Sequence, residues 1–166
     1  MSRAFIAQPA GVTLHLIQRS HARTECFFSA RDRAAYLYWL RGYAERFECA
    51  VHAYVLMGNH VHLLLTPSRG GSVECLMRAL CGRHARHVEE SGLRHGVIWE
   101  EGFEASPVHA RRYLFACMRY IELNPVRARI VVRPGEYRWS SFRANALGQD
   151  DALVTPHPLY YALART

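Results

Sequence analysis

Two histidines stand two residues apart in the run Asn59-His60-Val61-His62-Leu63-Leu64-Leu65. The run reads as a β-strand, and side chains on a strand alternate between its faces. His60 and His62 therefore point the same way, their Cα atoms ~6.7 Å apart at about 3.3 Å rise per residue. Two imidazoles at that spacing can converge on one cation, while Val61, Leu63 and Leu65 anchor the other face in a core. The same pattern also suits two half-buried histidines satisfied by hydrogen bonds, and spacing alone does not choose between these. A second chemical feature is Tyr120. At about 100° per residue on a helix, it lies at the edge of an apolar stripe of Ala110, Leu114, Cys117 and Ile121, with Arg112 and Arg119 on its other side. Asn124 is four residues on and sits above nearly the same spot. A tyrosine at such a boundary ordinarily packs its ring and leaves its hydroxyl in water.

A rival cluster is Cys81, His84 and His87. Their i, i+3, i+6 spacing rotates through about 600°, so the three do not share one face. Arg83 and Arg86 interleave them, and the segment reads as a solvated basic face that meets a nucleic-acid backbone rather than as a zinc site. Tyr137, Trp139, Phe142 and Trp99 have the shape to stack on bases, although core packing accounts for at least two of the first three.

These residues need elements to position them. Val12, Leu14 and Leu16 alternate with Thr13, His15 and Ile17, which predicts a half-buried strand over Val12 to Gln18. Ser29 with Asp32 three residues later resembles a helix capping box. Leu37, Leu40, Ala44 and Phe47 then predict a helix from Ala30 to Phe47. Cys49 to Met57 and His60 to Thr66, joined by Gly58-Asn59, predict a β-hairpin. Ser72 caps a second predicted helix carrying Val73, Leu76, Met77, Leu80 and Val88 and ending near Gly92. Ser106-Pro107 is read as opening a third, with proline in its first turn, and Asn124-Pro125 as closing it. A short strand is expected over Ala128 to Val132. This order implies an α+β fold: a ferredoxin-like antiparallel sheet with helices packed mainly on one face.

The chain has 166 residues, of which 50% are hydrophobic. That suits one domain with one core, here residues 1–166 with a short C-terminal tail over residues 143–166. No apolar run approaches the ~20 residues that span a bilayer, and Met1 to Val12 lack the apolar stretch of a signal peptide; a soluble cytosolic protein with no membrane partner is expected. The five cysteines include no C-x-x-C pair, which argues against a disulfide framework and a zinc ribbon. The formal charge is +7 and every one of the 21 basic side chains is arginine. Positive charge favours a polyanionic partner, and arginine binds phosphate bidentately and stacks on bases. A genome rich in G and C would also favour arginine codons, so the charge supports nucleic acid without proving it.

The two chemical segments carry a family resemblance. His52 to Pro67, with His60-Val61-His62 at its centre, resembles the histidine-hydrophobe-histidine motif of single-tyrosine HUH transposases, the insertion-sequence 200-like group. Arg119-Tyr120-Ile121-Glu122-Leu123-Asn124-Pro125-Val126-Arg127-Ala128 resembles the tyrosine segment of one branch, the REP-associated tyrosine transposases. Gln18-Arg19, Tyr137-Arg138-Trp139-Ser140-Ser141 and Thr155-Pro156-His157-Pro158-Leu159-Tyr160 match as well, so the resemblance covers nearly the whole chain.

The resemblance implies a ferredoxin-like fold with both histidines on a central strand. It implies Tyr120 as nucleophile and a Mg2+ or Mn2+ ion held by His60, His62 and Asn124. The implied activity is metal-dependent cleavage and rejoining of single-stranded DNA through a 5′-phosphotyrosine intermediate, acting on palindromic hairpin repeats. The chemistry suits the residues: a phosphodiester repels nucleophiles until a cation polarises it, and a free phenol, with pKa near ~10, depends on alignment for attack. Arg19, Arg23, Arg83, Arg86, Arg112, Arg119 and Arg127 are the expected DNA contacts, with the protein a monomer or homodimer. The chain departs from the pattern after Trp99-Glu100, where Gly102 and Glu104 stand at positions often basic in relatives. Ser20-His21-Ala22-Arg23 replaces a frequent Gly-Asn-Asn-Arg, and His84 a common aromatic. The second reading is therefore a catalytically weakened nucleic-acid-binding protein or repressor on the same fold. The Tyr160-Tyr161 tail either docks on the domain or binds DNA.

Overall fold

A computed structural model describes residues 8–163. The leader-free reading of Met1 to Val12 and the end of the expected tail reach into residues 1–7 and 164–166, which lie outside the described residues. Four strands and two long helices alternate as β1 (Leu14–Arg19), α1 (Ala30–Arg46), β2 (Cys49–Leu56), β3 (His60–Pro67), α2 (Ser72–Glu90) and β4 (Glu104–Pro107). The sheet order is β2-β3-β1-β4, and every neighbouring pair is antiparallel. This is the ferredoxin-like arrangement, with β1 and β3 central.

Local chemistry accounts for these boundaries. The Ser29 side chain accepts from Asp32 N at 3.2 Å, and the Asp32 carboxylate accepts from Phe28 N at 2.9 Å. Two otherwise orphaned amides are thus satisfied at the start of α1. The helix stops at Phe47, and Glu48 turns the chain with φ of 53°. On β1 the alternation holds: Leu14 and Leu16 are fully buried, and His15 and Ile17 lie half-buried on the other face.

The two faces are covered differently. Leu14, Leu16, Tyr54, Leu56, Val61, Leu63 and Leu65 pack under α1 and α2. Ala53, Val55, Met57 and Leu64 pack instead against Leu114, Met118 and Ile121 of α3 (Arg111–Glu122). The switch of parity along β2 occurs at a register shift between Val51 and Ala53. Both long helices thus share one face, and α3, with Tyr137 and Leu159 beside it, covers the face that carries His62.

Two expectations give way. Ser106-Pro107 does not open a helix: it ends β4, and α3 begins at Arg111 after an extended Ala110. Proline is tolerated there because β4 is an edge strand. Ala128 to Val132 form no strand. Asn124-Pro125 ends α3 as expected, but it also starts a single further turn, α4 (Asn124–Arg127), with proline in the first turn. Arg129 then adopts φ of 59°, which breaks the extended geometry that Ile130, Val131 and Val132 would favour.

The C-terminal segment carries α5 (Phe142–Leu147) and α6 (Pro158–Leu163). It docks on the domain. Leu159 N donates to His157 Nδ1 at 3.1 Å, so His157 donates from Nε2 to Thr13 Oγ1 at 3.0 Å. Thr13 bonds Thr66 at 2.8 Å, and Thr66 bonds His52 Nε2 at 2.8 Å. His52 Nδ1 donates to the Thr155 carbonyl at 2.7 Å. One directional chain of hydrogen bonds thus joins β2, β3 and the residue before β1 to the tail. The Tyr160 hydroxyl adds a bond to the Asn145 carbonyl at 2.6 Å.

Candidate functional site

His60 and His62 open β3, and both project toward the α3 face. Their ring centroids are 4.9 Å apart. Tyr120 stands on α3 with its ring edge-on to His62 at 5.7 Å. Asn124 follows one turn later, and its Nδ2 donates to His62 Nε2 at 3.2 Å. The two segments that sequence separates by about sixty residues therefore meet. Tyr120 remains 44% exposed, so its hydroxyl end is open to a large substrate.

A third histidine joins them. His15 Nε2 lies 2.9 Å from His62 Nδ1, the two rings stacked at 5.1 Å. The His15 ring also meets Tyr120 edge-on at 6.1 Å. His15 is not among the residues singled out by spacing. The usable signal is parity: it shares the outward face of β1 with Ile17, whose cross-strand partner is His62.

All three imidazoles are neutral at neutral pH. Burial, reinforced by His15, His60 and Arg19, pushes His62 down to about 3. Burial, followed by the Arg19 charge, lowers His60 against a smaller opposing effect from the Asn124 hydrogen bond. Burial lowers His15 against the attraction of Glu104. Lone pairs are therefore available. His60 Nδ1 donates to Asn59 Oδ1 at 2.7 Å, which makes Nε2 the nitrogen that carries the lone pair. The Asn59 amide is held in turn by donation to the Arg23 carbonyl at 3.3 Å. That carbonyl is presented by a kinked turn in which Ala22 and Arg23 have φ of 53° and 54°.

The donor set suits a divalent cation. Two neutral imidazole nitrogens and an Asn124 amide that can present its oxygen are compatible with Mg2+ or Mn2+, whose remaining positions suit water and phosphate oxygens. Among the described residues, no group of three or more His, Cys, Asp or Glu side chains is poised to hold a metal ion. This also disposes of Cys81, His84 and His87. His84 is fully buried among Phe27, Tyr36 and Trp99, its Nε2 bonded to the Cys26 carbonyl at 2.7 Å, and burial pushes it down to about 4. His87 bonds Asp32 at 2.9 Å, and the Cys81 thiol bonds Gln18 at 3.6 Å. The expected solvated face is thus partly core.

The arginines divide by position. Arg127 lies over the Tyr120 ring at 4.6 Å. Arg119 is exposed beside it on α3, and Arg112 is exposed against Tyr113 at 4.8 Å. Arg19 flanks the histidines, being the cross-strand partner of His60, and exposed Arg23 lies in the turn beneath Asn59. Arg83 and Arg86 are carried by α2, on the opposite face of the sheet; Arg83 stacks on Trp39 at 4.4 Å. Tyr137 and Trp99 are buried, whereas Trp139 and Phe142 are half-buried.

The unusual acidic segment reaches the site. Glu104 on β4 pairs with Arg19 at 2.7 Å. Gly102 adopts φ of 77°, a left-handed conformation that strains a side-chain-bearing residue. Behind Tyr120, Glu122 is buried and accepts from Ser141 Oγ at 2.7 Å and Asn145 Nδ2 at 2.6 Å, which fixes the end of α3 to the sheet side. Burial raises its pKa, and those hydrogen bonds lower it less.

Residues 10–124 match the family described as IS200-like transposase. No curated protein matches the chain. Among solved structures, a REP-associated tyrosine transposase bound to a REP hairpin is similar with a TM-score of 0.72 at 14% identity, over 95% of this chain and 92% of that one. A candidate transposase from Deinococcus radiodurans R1 is similar with a TM-score of 0.50 at 20% identity, over 74% of this chain and 95% of that one. These likenesses concern the fold.

Proposed function

Because the chain belongs to the IS200-like transposase family, we propose that it is a metal-dependent nuclease and strand transferase acting on single-stranded or hairpin DNA. Tyr120 is the nucleophile, and His60, His62 and Asn124 hold Mg2+ or Mn2+. The observation that carries this reading is the meeting of Tyr120, Asn124 and His62 on one sheet face. Palindromic hairpins are the proposed substrates, following the hairpin carried by the structural relative.

The residues divide the work. Tyr120 Oη attacks the phosphorus of one phosphodiester: the O–P bond to tyrosine forms, the P–O3′ bond breaks, and the phenol's proton ends on the departing 3′-oxygen. The ester energy is retained as a 5′-phosphotyrosine, so a 3′-hydroxyl can reverse the step and release tyrosine. The cation, when bound, supplies charge that polarises the phosphoryl oxygen. Arg127 and Arg119 present guanidinium charge beside the phenol, where a strand's phosphates would be drawn. The floor of half-buried His15 and buried His62 packs against the ring and limits its rotation, which aids alignment. Arg112, Arg19 and Arg23 extend the basic surface; Arg83 and Arg86 would require DNA to reach the opposite helical layer.

The test is denaturing electrophoresis after mixing protein with labelled hairpin DNA and Mn2+. A cation-dependent adduct that survives denaturation and disappears in Tyr120→Phe is expected. An adduct retained by Tyr120→Phe would assign the nucleophile elsewhere. The second reading, a nucleic-acid-binding protein with weakened catalysis, is favoured by one observation, the Arg19–Glu104 pair beside the histidines; binding without any adduct would support it.

A further inference from the structure

His15 lies outside the ligand set proposed above, yet it touches both chemical groups of the site. Its Nε2 is 2.9 Å from His62 Nδ1, and its ring edge packs against Tyr120. Only one of the two facing nitrogens can carry the shared hydrogen. The other side of His62 decides which. In the metal-free site Asn124 Nδ2 donates to His62 Nε2, so that nitrogen is an acceptor and Nδ1 carries the proton. His15 Nε2 is then the acceptor, and His15 carries its own proton on Nδ1. The same logic holds one position back along β3, where His60 donates from Nδ1 to Asn59. Both strand histidines thus spend their Nδ1 protons on a partner behind them and turn Nε2 toward the site.

We propose that His15 is a positioning residue that locks His62 in its Nδ1-protonated tautomer, aims the Nε2 lone pair at the cation position, and braces the Tyr120 ring. The inference rests on the metal-site reading above. A ligand imidazole whose remote nitrogen lacks an acceptor has no preference for the tautomer that binds metal, and its ring is free to rotate. Loss of such a partner lowers metal affinity about 10–100-fold. The acceptor need not be an imidazole: the amide oxygen of glutamine occupies a similar reach and serves the same Nδ1–H. Phenylalanine preserves the stacked ring and deletes the acceptor. The two substitutions therefore separate the hydrogen bond from packing.

The experiment has two arms, neither of which needs turnover. The first assigns the His62 tautomer in metal-free wild-type protein by long-range 1H–15N correlation at neutral pH. An Nδ1-protonated His62 is expected in the wild type, with a shift toward the Nε2-protonated form in His15→Phe. An Nε2-protonated His62 in the wild type overturns the proposal whether or not any variant folds. The second arm measures Mn2+ binding by electron paramagnetic resonance, alongside thermal unfolding of the metal-free proteins. His15→Phe should bind about 10–100-fold more weakly while still unfolding cooperatively, with His15→Gln recovering most of the loss. Equal Mn2+ affinity in wild type and His15→Phe overturns the proposal and leaves the metal site standing. If the wild type binds no Mn2+, the metal-site reading fails, and the tautomer measurement decides the role of His15 by itself.

Discussion

Glu104→Gln tests how the acidic segment acts on DNA binding. Glu104 holds Arg19 at 2.7 Å, the side chains being 44% and 32% exposed. Arg19 sits across the strand from His60, within the surface proposed to meet phosphate. A phosphate that engages Arg19 must first displace the carboxylate. For a pair this exposed, displacement costs up to about 1 kcal/mol. Removing the charge should therefore tighten binding by as much as about fivefold. Arg19 would then neutralise one more phosphate, steepening the dependence of log affinity on log salt by about 0.7 for a single strand. Glutamine keeps the shape and can still bond the guanidinium, so β4 should remain in place. Gly102 is the wrong position to recharge, since its φ of 77° would strain any arginine placed there. The assay is fluorescence anisotropy with a labelled hairpin between about 50 and about 200 mM salt. Exposed Glu101→Gln serves as the control, because it removes the same charge three residues away. Equal small gains and an unchanged slope in both variants would refute the argument and leave the Arg19–Glu104 pair a structural contact only.

Acid should destabilise the protein early. His52 and His84 are buried, and burial pushes each down to about 4; in the unfolded chain they take up protons below about 6.5. The unfolded state thus binds more protons between those values, so stability is present above about pH 6.5 and is lost as pH falls toward 4, by on the order of 3 kcal/mol between about pH 7 and about pH 5; urea unfolding midpoints that stay level over that span would contradict this. Glu122→Ala leaves Ser141 and Asn145 without their acceptor and should cost about 2–3 kcal/mol, lowering the melting temperature by roughly 5–10 °C, a loss that differential scanning calorimetry would detect.

Much of the frame was legible because it is written locally. Period-two alternation located β1, β2 and β3, helical spacing with Ser29 and Asp32 located α1, and the parity of His60 and His62 placed both on one face. Tyr120 and Asn124 stand about one helical turn apart, so their vicinity followed from spacing too. What stayed hidden depends on distant partners. Glu104-Ala105-Ser106-Pro107 has no strand pattern of its own and becomes β4 only because β1 offers an unpaired edge. Ile130, Val131 and Val132 have strand-forming side chains but find no partner, and the left-handed Arg129 turns them away. His15 looked like an outward polar residue of an ordinary strand. Its role depends on the β1–β3 register, which nothing near residue 15 encodes.

The hydrogen-bond chain through His157, Thr13, Thr66 and His52 has a consequence for how the protein is made. His52 and Thr155 are 103 residues apart in sequence, and Thr155 N also bonds the Val51 carbonyl at 2.7 Å. A nascent chain on the ribosome holds β1, β2 and β3 long before residues 155–159 exist. During that interval Thr13, Thr66 and His52 lack the partners that complete their wiring, and a sheet surface reserved for the tail stays open to water. Closing so long a loop adds little entropic cost beyond a shorter one, but it cannot begin until the segment has been synthesised. The frame can therefore assemble vectorially, while the polar seam that seals it must await the last part of the described chain.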